Sequence, residues 1–113
     1  MDVELAELMR ALSDPTRLRI LFGLRADLCV SEAARHAGVS ESTASQHLGI
    51  LRSAGLVTGE KRSYWTHYRA DTAAIREIAA RLEGMAEYLD EPHPACCPDE
   101  GSCHPKDQCE RDD

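Results

Sequence analysis

Apolar positions at helical spacing divide the first half of the chain into four predicted helices. Leu, Ile, Met, Val and Ala recur there every three or four residues, which is the pattern of helices with one buried face. The four helices are expected over 4–12, 16–26, 32–37 and 41–54. Asp14 is expected to cap the second of them, with Pro15 as a favourable first helical residue.

The third and fourth predicted helices are separated by only a few residues. Ser31 and Ser40 are expected to cap their N-termini, and Gly38 to end the third helix. The side chains on the third helix are small enough for a close helix crossing: Ala33, Ala34 and Ala37. Two short helices with this spacing are typical of a helix-turn-helix.

A hairpin is expected directly after the fourth helix. Past Gly55, residues 56–58 are predicted to form a strand, 59–63 a polar turn and 64–69 a returning strand rich in aromatic and β-branched residues. A basic hairpin that follows a helix-turn-helix at once is interpreted as a wing.

A long final helix is predicted over 72–89, with an apolar stripe in steps of three and four residues. That spacing is typical of a helix–helix seam. The core of so small a domain needs only part of the stripe, so the rest is interpreted as a dimer interface. Packing on its own domain remains the alternative. The residues expected at the interface are Leu5, Leu8, Ile78, Leu82, Met85 and Leu89. The predicted fold class is mainly α: a winged helix-turn-helix with a two-stranded β-hairpin, homodimeric through its terminal helices.

Composition and charge divide the chain into two parts. The net charge of −7 arises mostly in the last 23 residues, where two basic residues face seven acidic ones. Within 35–69, five basic residues stand against two acidic ones, which permits a salt-sensitive attraction to phosphate. Five aromatic residues in the whole chain mean that the core must be aliphatic. Neither an export signal nor a membrane segment is evident, so a cytoplasmic location is expected.

Four of the five cysteines lie close together near the C-terminus, at Cys96, Cys97, Cys103 and Cys109, while Cys29 stands apart. A disulfide scaffold would spread its bridges through the fold, so the cluster favours metal binding or redox chemistry. We therefore predict a domain over 1–90 and an irregular, acidic, cysteine-rich tail over 91–113.

Several stretches together resemble the ArsR/SmtB family of winged helix-turn-helix repressors. Residues 11–21 (ALSDPTRLRIL) are similar to the family's opening helix boundary, 29–32 (CVSE) to the start of its third helix, and 42–57 (STASQHLGILRSAGLV) to its recognition helix and the entry to the wing. The similarity extends over about residues 4–89. It implies a dimeric repressor that leaves its operator when a toxic metal or metalloid binds.

The resemblance also directs attention to the inducer site. Many members begin the third helix with a Cys-x-Cys pair, but here Cys29 is followed by Val30 and Ser31. Others bind zinc through Asp and His on the final helix, where 72–89 contains no His. The spacing of Cys96, Cys97 and Cys103 is similar to the C-terminal three-cysteine site of some arsenic-responsive members.

The fourth helix would lie in the major groove of operator DNA and the wing would contact phosphates or the minor groove. Short donors and acceptors dominate the start of that helix, although Ser and Thr there could simply cap and solvate it. The predicted DNA contacts are Ser42, Thr43, Ser45, Gln46, His47, Arg52, Lys61, Arg62 and His67.

In the tail, Cys96, Cys97 and Cys103 offer three soft thiolates, which match the three pyramidal bonds of As(III) or Sb(III). Zn(II), Cd(II) or Pb(II) remain alternatives, with Cys109 or His104 as a fourth ligand. Cysteine oxidation in place of metal binding would make a redox-responsive repressor. A metal store that binds no DNA and a thiol-based enzyme are further alternatives, although no C-x-x-C pair or phosphate-binding glycine loop supports an enzyme.

Overall fold

The computed structural model describes residues 3–92. They form five helices and one antiparallel hairpin, which confirms the predicted mainly-α winged helix-turn-helix class. In chain order the elements are α1 (Val3–Leu12), α2 (Pro15–Gly23), α3 (Val30–Ala37), α4 (Glu41–Ser53), β1 (Val57–Arg62), β2 (Trp65–Ala70) and α5 (Thr72–Asp90).

Helix α2 begins as the sequence predicts. The Asp14 carboxylate accepts hydrogen bonds from the backbone N–H groups of Thr16 at 2.8 Å and Arg17 at 3.2 Å, and Pro15 occupies the first turn. These bonds satisfy N–H groups that have no partner inside the helix. The helix ends at Gly23 rather than near residue 26, because the buried Leu24 leaves the helical conformation.

Helix α3 begins earlier than predicted. Its N-cap is Cys29 and not Ser31, so the prediction for Ser31 was wrong. The Glu32 carboxylate accepts a hydrogen bond at 3.1 Å from the Cys29 backbone N–H, as the third residue of a capping box does. Glu32, three positions after Cys29, is the sequence signal for this start, but cysteine is outside the residue types that ordinarily form a cap.

The wing has longer strands and a tighter turn than predicted. Residues 59–62 belong to β1, where Arg62 pairs with Trp65, so the turn predicted over 59–63 was wrong. Only Ser63 and Tyr64 connect the strands, and Ser63 has a φ of 60°. A two-residue connection with a left-handed residue matches the twist of paired strands, and it leaves the polar residues before it available for pairing.

The core is aliphatic, as predicted. Its largest fully buried side chains are Ile20, Leu48, Leu51, Leu56 and Val57. The buried alanines of α3 meet Ala44 of α4 in the same cluster. Small side chains at this crossing let α3 support α4 closely.

The described residues fall into two compact units that divide between Glu83 and Gly84. In the first unit, Ile78 of α5 joins the core. Among the described residues, no helix is long and apolar enough to cross a membrane.

Candidate nucleic-acid interface

The connection between α3 and α4 fixes how α4 is presented. Gly38 ends α3 with a φ of 73°, a conformation that a side chain would strain. Ser40 then caps α4, because its hydroxyl accepts a hydrogen bond from the Thr43 backbone N–H at 3.1 Å. This confirms the predicted cap and helix-turn-helix.

One face of α4 packs into the hydrophobic core and the opposite face is exposed to solvent. Ala44, Leu48 and Leu51 are buried, while Gln46 is exposed. The other predicted contacts at the start of the helix are exposed or half-buried: Ser42, Thr43, Ser45 and His47. A rigid helix with a polar outer face is suited to meeting base edges in a groove.

The His47 ring forms a hydrogen bond with Arg17 of α2. The Arg17 Nη1 atom lies 3.1 Å from His47 Nδ1. The same guanidinium donates to the backbone carbonyl of Ala11 at 2.6 Å and to that of Arg10 at 3.4 Å. Arg17 therefore joins the end of α1 to the outer part of α4. Sequence reasoning did not identify this contact, which connects residues 30 positions apart.

Arg52, another predicted DNA contact, lies at the base of the wing. A Cβ atom at Gly59 of β1 would be 3.2 Å from Arg52 Nη1 and 3.1 Å from Tyr68 Cε1. The Arg52 side chain is exposed and extends across this glycine. It lies where the recognition helix and the wing meet.

Two adjacent basic residues of the wing differ in whether their side chains have partners. The Lys61 side chain is exposed and forms no ion pair or hydrogen bond with any residue that the structure describes. Arg62 donates from Nη2 to Asp27 Oδ2 at 2.6 Å and contacts Glu60 Oε1 at 3.2 Å. Lys61 is therefore available to a ligand, whereas Arg62 is already paired.

Asp27 connects the wing to the loop before α3. It also accepts from Arg69 Nε at 2.8 Å, and Leu28 forms an antiparallel bridge with Tyr68 beside it. The hydrogen bonds from Arg69 and then Arg62 hold the pKa of the Asp27 carboxyl below its ordinary value. Sequence reasoning missed Asp27, whose partners lie 35 and 42 residues away.

His67 on β2 is turned partly inward. Its Nδ1 atom is buried and has no hydrogen-bond partner within the described residues.

The half-buried Cys29 lies at the N-terminus of α3, where its Sγ atom is 3.3 Å from Ser31 Oγ. Within residues 3–92 no group of three or more His, Cys, Asp or Glu side chains is arranged to hold a metal ion.

The residues predicted for the dimer interface differ in exposure. Leu5 and Ile78 are buried within a single chain and Leu8 is half-buried. Leu82, Met85 and Leu89 are exposed at 36%, 40% and 71%. The predicted inducer ligands Cys96, Cys97, Cys103, His104 and Cys109 lie outside the described residues.

An exposed polar helix packed on a supporting helix and followed by a basic hairpin defines the winged helix-turn-helix class. The profile of the family described as "Bacterial regulatory protein, arsR family" matches residues 14–58, from the cap of α2 to the start of the wing.

Relatives extend the match beyond that segment. The chain is 38% identical over 81 residues to the HTH-type transcriptional regulator CmtR of Mycobacterium tuberculosis, covering 70% of this chain and 69% of the relative. It is 30% identical over 80 residues to the arsenic resistance transcriptional regulator ArsR1 of Pseudomonas putida, covering 69% of this chain and 62% of the relative. The chain belongs to the ArsR family of transcriptional regulators.

A solved structure confirms the fold. The homodimeric winged helix-turn-helix domain of Mb0332 from Mycobacterium bovis is 29% identical and superposes with a TM-score of 0.62, over 80% of this chain and 85% of that one.

Proposed function

We propose that this protein is a repressor that binds operator DNA as a homodimer, with α4 in the major groove and the wing along the backbone. The observation that carries the proposal is the exposed polar face of α4, held from behind by Leu48 and Leu51. Gln46 on that face can pair with adenine through both its amide atoms. The unpaired Lys61 on the wing is placed to contact phosphate.

The test is fluorescence anisotropy of the reduced full-length protein with its own upstream DNA and with a scrambled duplex. Gln46→Ala is expected to weaken operator binding by about 5- to 100-fold and to leave the scrambled duplex almost unaffected, because base contacts carry specificity. Ser53→Ala, at the opposite end of the exposed face of α4, is the matched control. Equal loss on both duplexes after Gln46→Ala would contradict the assignment of α4 as the reading helix.

The homodimer is proposed to form through the terminal helices. Leu82, Met85 and Leu89 on α5 leave apolar surface exposed, and the solved relative from M. bovis is described as homodimeric. Leu82→Glu is expected to convert the dimer to a monomer in analytical ultracentrifugation. Arg76→Glu, an exposed charge change on the same helix, is the control. A dimer that persists in Leu82→Glu would exclude this face.

We further propose that As(III), or Sb(III), releases the repressor by binding Cys96, Cys97 and Cys103. Support comes from the ligand set itself, which provides three soft thiolates within eight residues. The groups beside Cys29 are the Ser31 hydroxyl and the Glu32 carboxylate, and oxygen atoms are poor ligands for a soft ion. One relative is named for arsenic resistance.

Arsenite titration into the protein–operator complex tests the inducer. Release is expected for the wild type and for Cys29→Ser, and loss of response for Cys96→Ser, Cys97→Ser and Cys103→Ser. Release by Cd(II) or Zn(II) but not by arsenite would indicate a four-ligand metal site instead. Release by peroxide alone, reversed by thiol, would indicate a redox sensor.

A further inference from the structure

The hydrogen bond between Arg17 and His47 determines what His47 can offer to DNA. A guanidinium carries only donors and keeps its charge at any physiological pH. The Nδ1 atom of His47, 3.1 Å from Arg17 Nη1, must therefore accept. A neutral imidazole that accepts at Nδ1 carries its proton at Nε2.

We propose that Arg17 is a positioning residue for DNA recognition, which fixes the His47 side chain as a hydrogen-bond donor through Nε2–H. The inference rests on the proposed function, since it assigns a role to His47 within the operator complex. The acceptor on the DNA is a base-edge atom such as a purine N7, or a phosphate oxygen.

Arg17 is itself held rigidly enough to orient a ring. Its Nε atom donates to the Ala11 carbonyl at 2.6 Å, and the residue lies in the first turn of α2, which Asp14 caps. The guanidinium is half-buried between the end of α1 and α4, with its donors directed at carbonyl and imidazole acceptors. A planar group anchored at two points loses little further freedom when it binds a third partner. The tautomer of His47 is thus set by the fold before DNA arrives.

The first test is the tautomer. Long-range proton–nitrogen NMR spectra of the histidine-labelled, reduced protein above the pH range in which an imidazole ordinarily titrates should show an unprotonated Nδ1 and a protonated Nε2 for His47. In Arg17→Met, which keeps the length of the side chain and removes its donors, the two tautomers should both be populated. A protonated Nδ1 in the wild type, or the same single tautomer in Arg17→Met, would overturn the proposal.

The second test is a double-mutant cycle on operator affinity with Arg17→Met, His47→Ala and the double variant. His47→Ala is expected to weaken binding about 5- to 100-fold, since it removes one hydrogen bond to DNA in each protomer. Arg17→Met is expected to weaken binding less, since His47 can still donate from one of its two tautomers. The double variant should bind within about twofold of His47→Ala, because Arg17 is proposed to act on DNA only through His47. Losses that multiply would refute the positioning role.

His47→Ala alone and the comparison of operator with scrambled DNA distinguish the remaining outcomes. His47→Ala leaves the bonds from Arg17 to the α1 carbonyls intact, so it reports on DNA even if Arg17→Met unfolds, and an unchanged operator affinity in His47→Ala would overturn the proposal. A loss confined to the operator identifies a base-edge acceptor, whereas an equal loss on scrambled DNA identifies a phosphate. A wild type that binds no operator would refute the proposed function, while the tautomer would still test the geometry.

Discussion

Two neighbouring side chains of α4 provide the sharpest test of the packing that presents the recognition helix. Leu51 is 0% exposed and Ile50 is 45% exposed, although they are adjacent and almost equal in volume. Truncation of each to alanine on the same helix changes helix propensity only slightly. The difference between Leu51→Ala and Ile50→Ala therefore measures burial.

The expected magnitudes follow from those exposures. Leu51→Ala removes about three buried methylene equivalents at ~0.8 kcal/mol each, and the cavity raises the total cost to about 3–5 kcal/mol of unfolding free energy. Ile50→Ala removes a group that is already half in water and leaves no enclosed cavity, so about 1 kcal/mol is expected.

The measurement is urea unfolding followed by circular dichroism, with all proteins at one concentration because the stability of a dimer depends on concentration. A difference of less than about 1 kcal/mol between Leu51→Ala and Ile50→Ala would refute the assignment of these two side chains to core and surface. Loss of the cooperative transition in Leu51→Ala alone would support it.

Three further predictions address the wing, the α2 cap and the α2–α3 contact. Lys61→Ala should reduce the slope of log affinity against log salt by about 2 per dimer, and Arg62→Ala by less, because Arg62 is already paired; equal slopes in the two variants would contradict this. Hydrogen bonds from the backbone N–H of Arg17, and then from that of Thr16, hold the pKa of the Asp14 carboxyl below its ordinary value. The ionised Asp14 carboxyl therefore stabilises the folded state at pH values above the pKa that it has in the unfolded chain. This stabilisation is lost as the pH falls through the lower pKa that it has in the folded state. Asp14→Asn should flatten the acid side of a plot of melting temperature against pH, and an unchanged slope would count against the cap as its source. Gly23→Ala should destabilise, since its Cβ would lie 2.5 Å from the His36 ring, and His36→Ala in the same chain should restore stability in thermal melts; a persistent loss would place the strain elsewhere.

Sequence patterns predicted the features that depend on near neighbours. The cap at Asp14, the glycine that ends α3, the cap at Ser40 and the helical period of each apolar stripe are decided within about four residues, where side chains meet their own backbone. The same local reasoning failed at the wing, because a run of polar residues predicts a turn equally well whether or not it pairs with a distant strand.

Sequence patterns were sufficient to predict the helix-turn-helix, the presence of a wing, the aliphatic core and the family. Which polar side chains remain available to DNA depends on tertiary packing. Arg62 and Lys61 are adjacent basic residues in the sequence, but packing places Asp27 against one of them. Arg17 reaches His47 across 30 residues for the same reason. Such pairs depend on the angles at which helices and strands pack, and no local pattern encodes those angles.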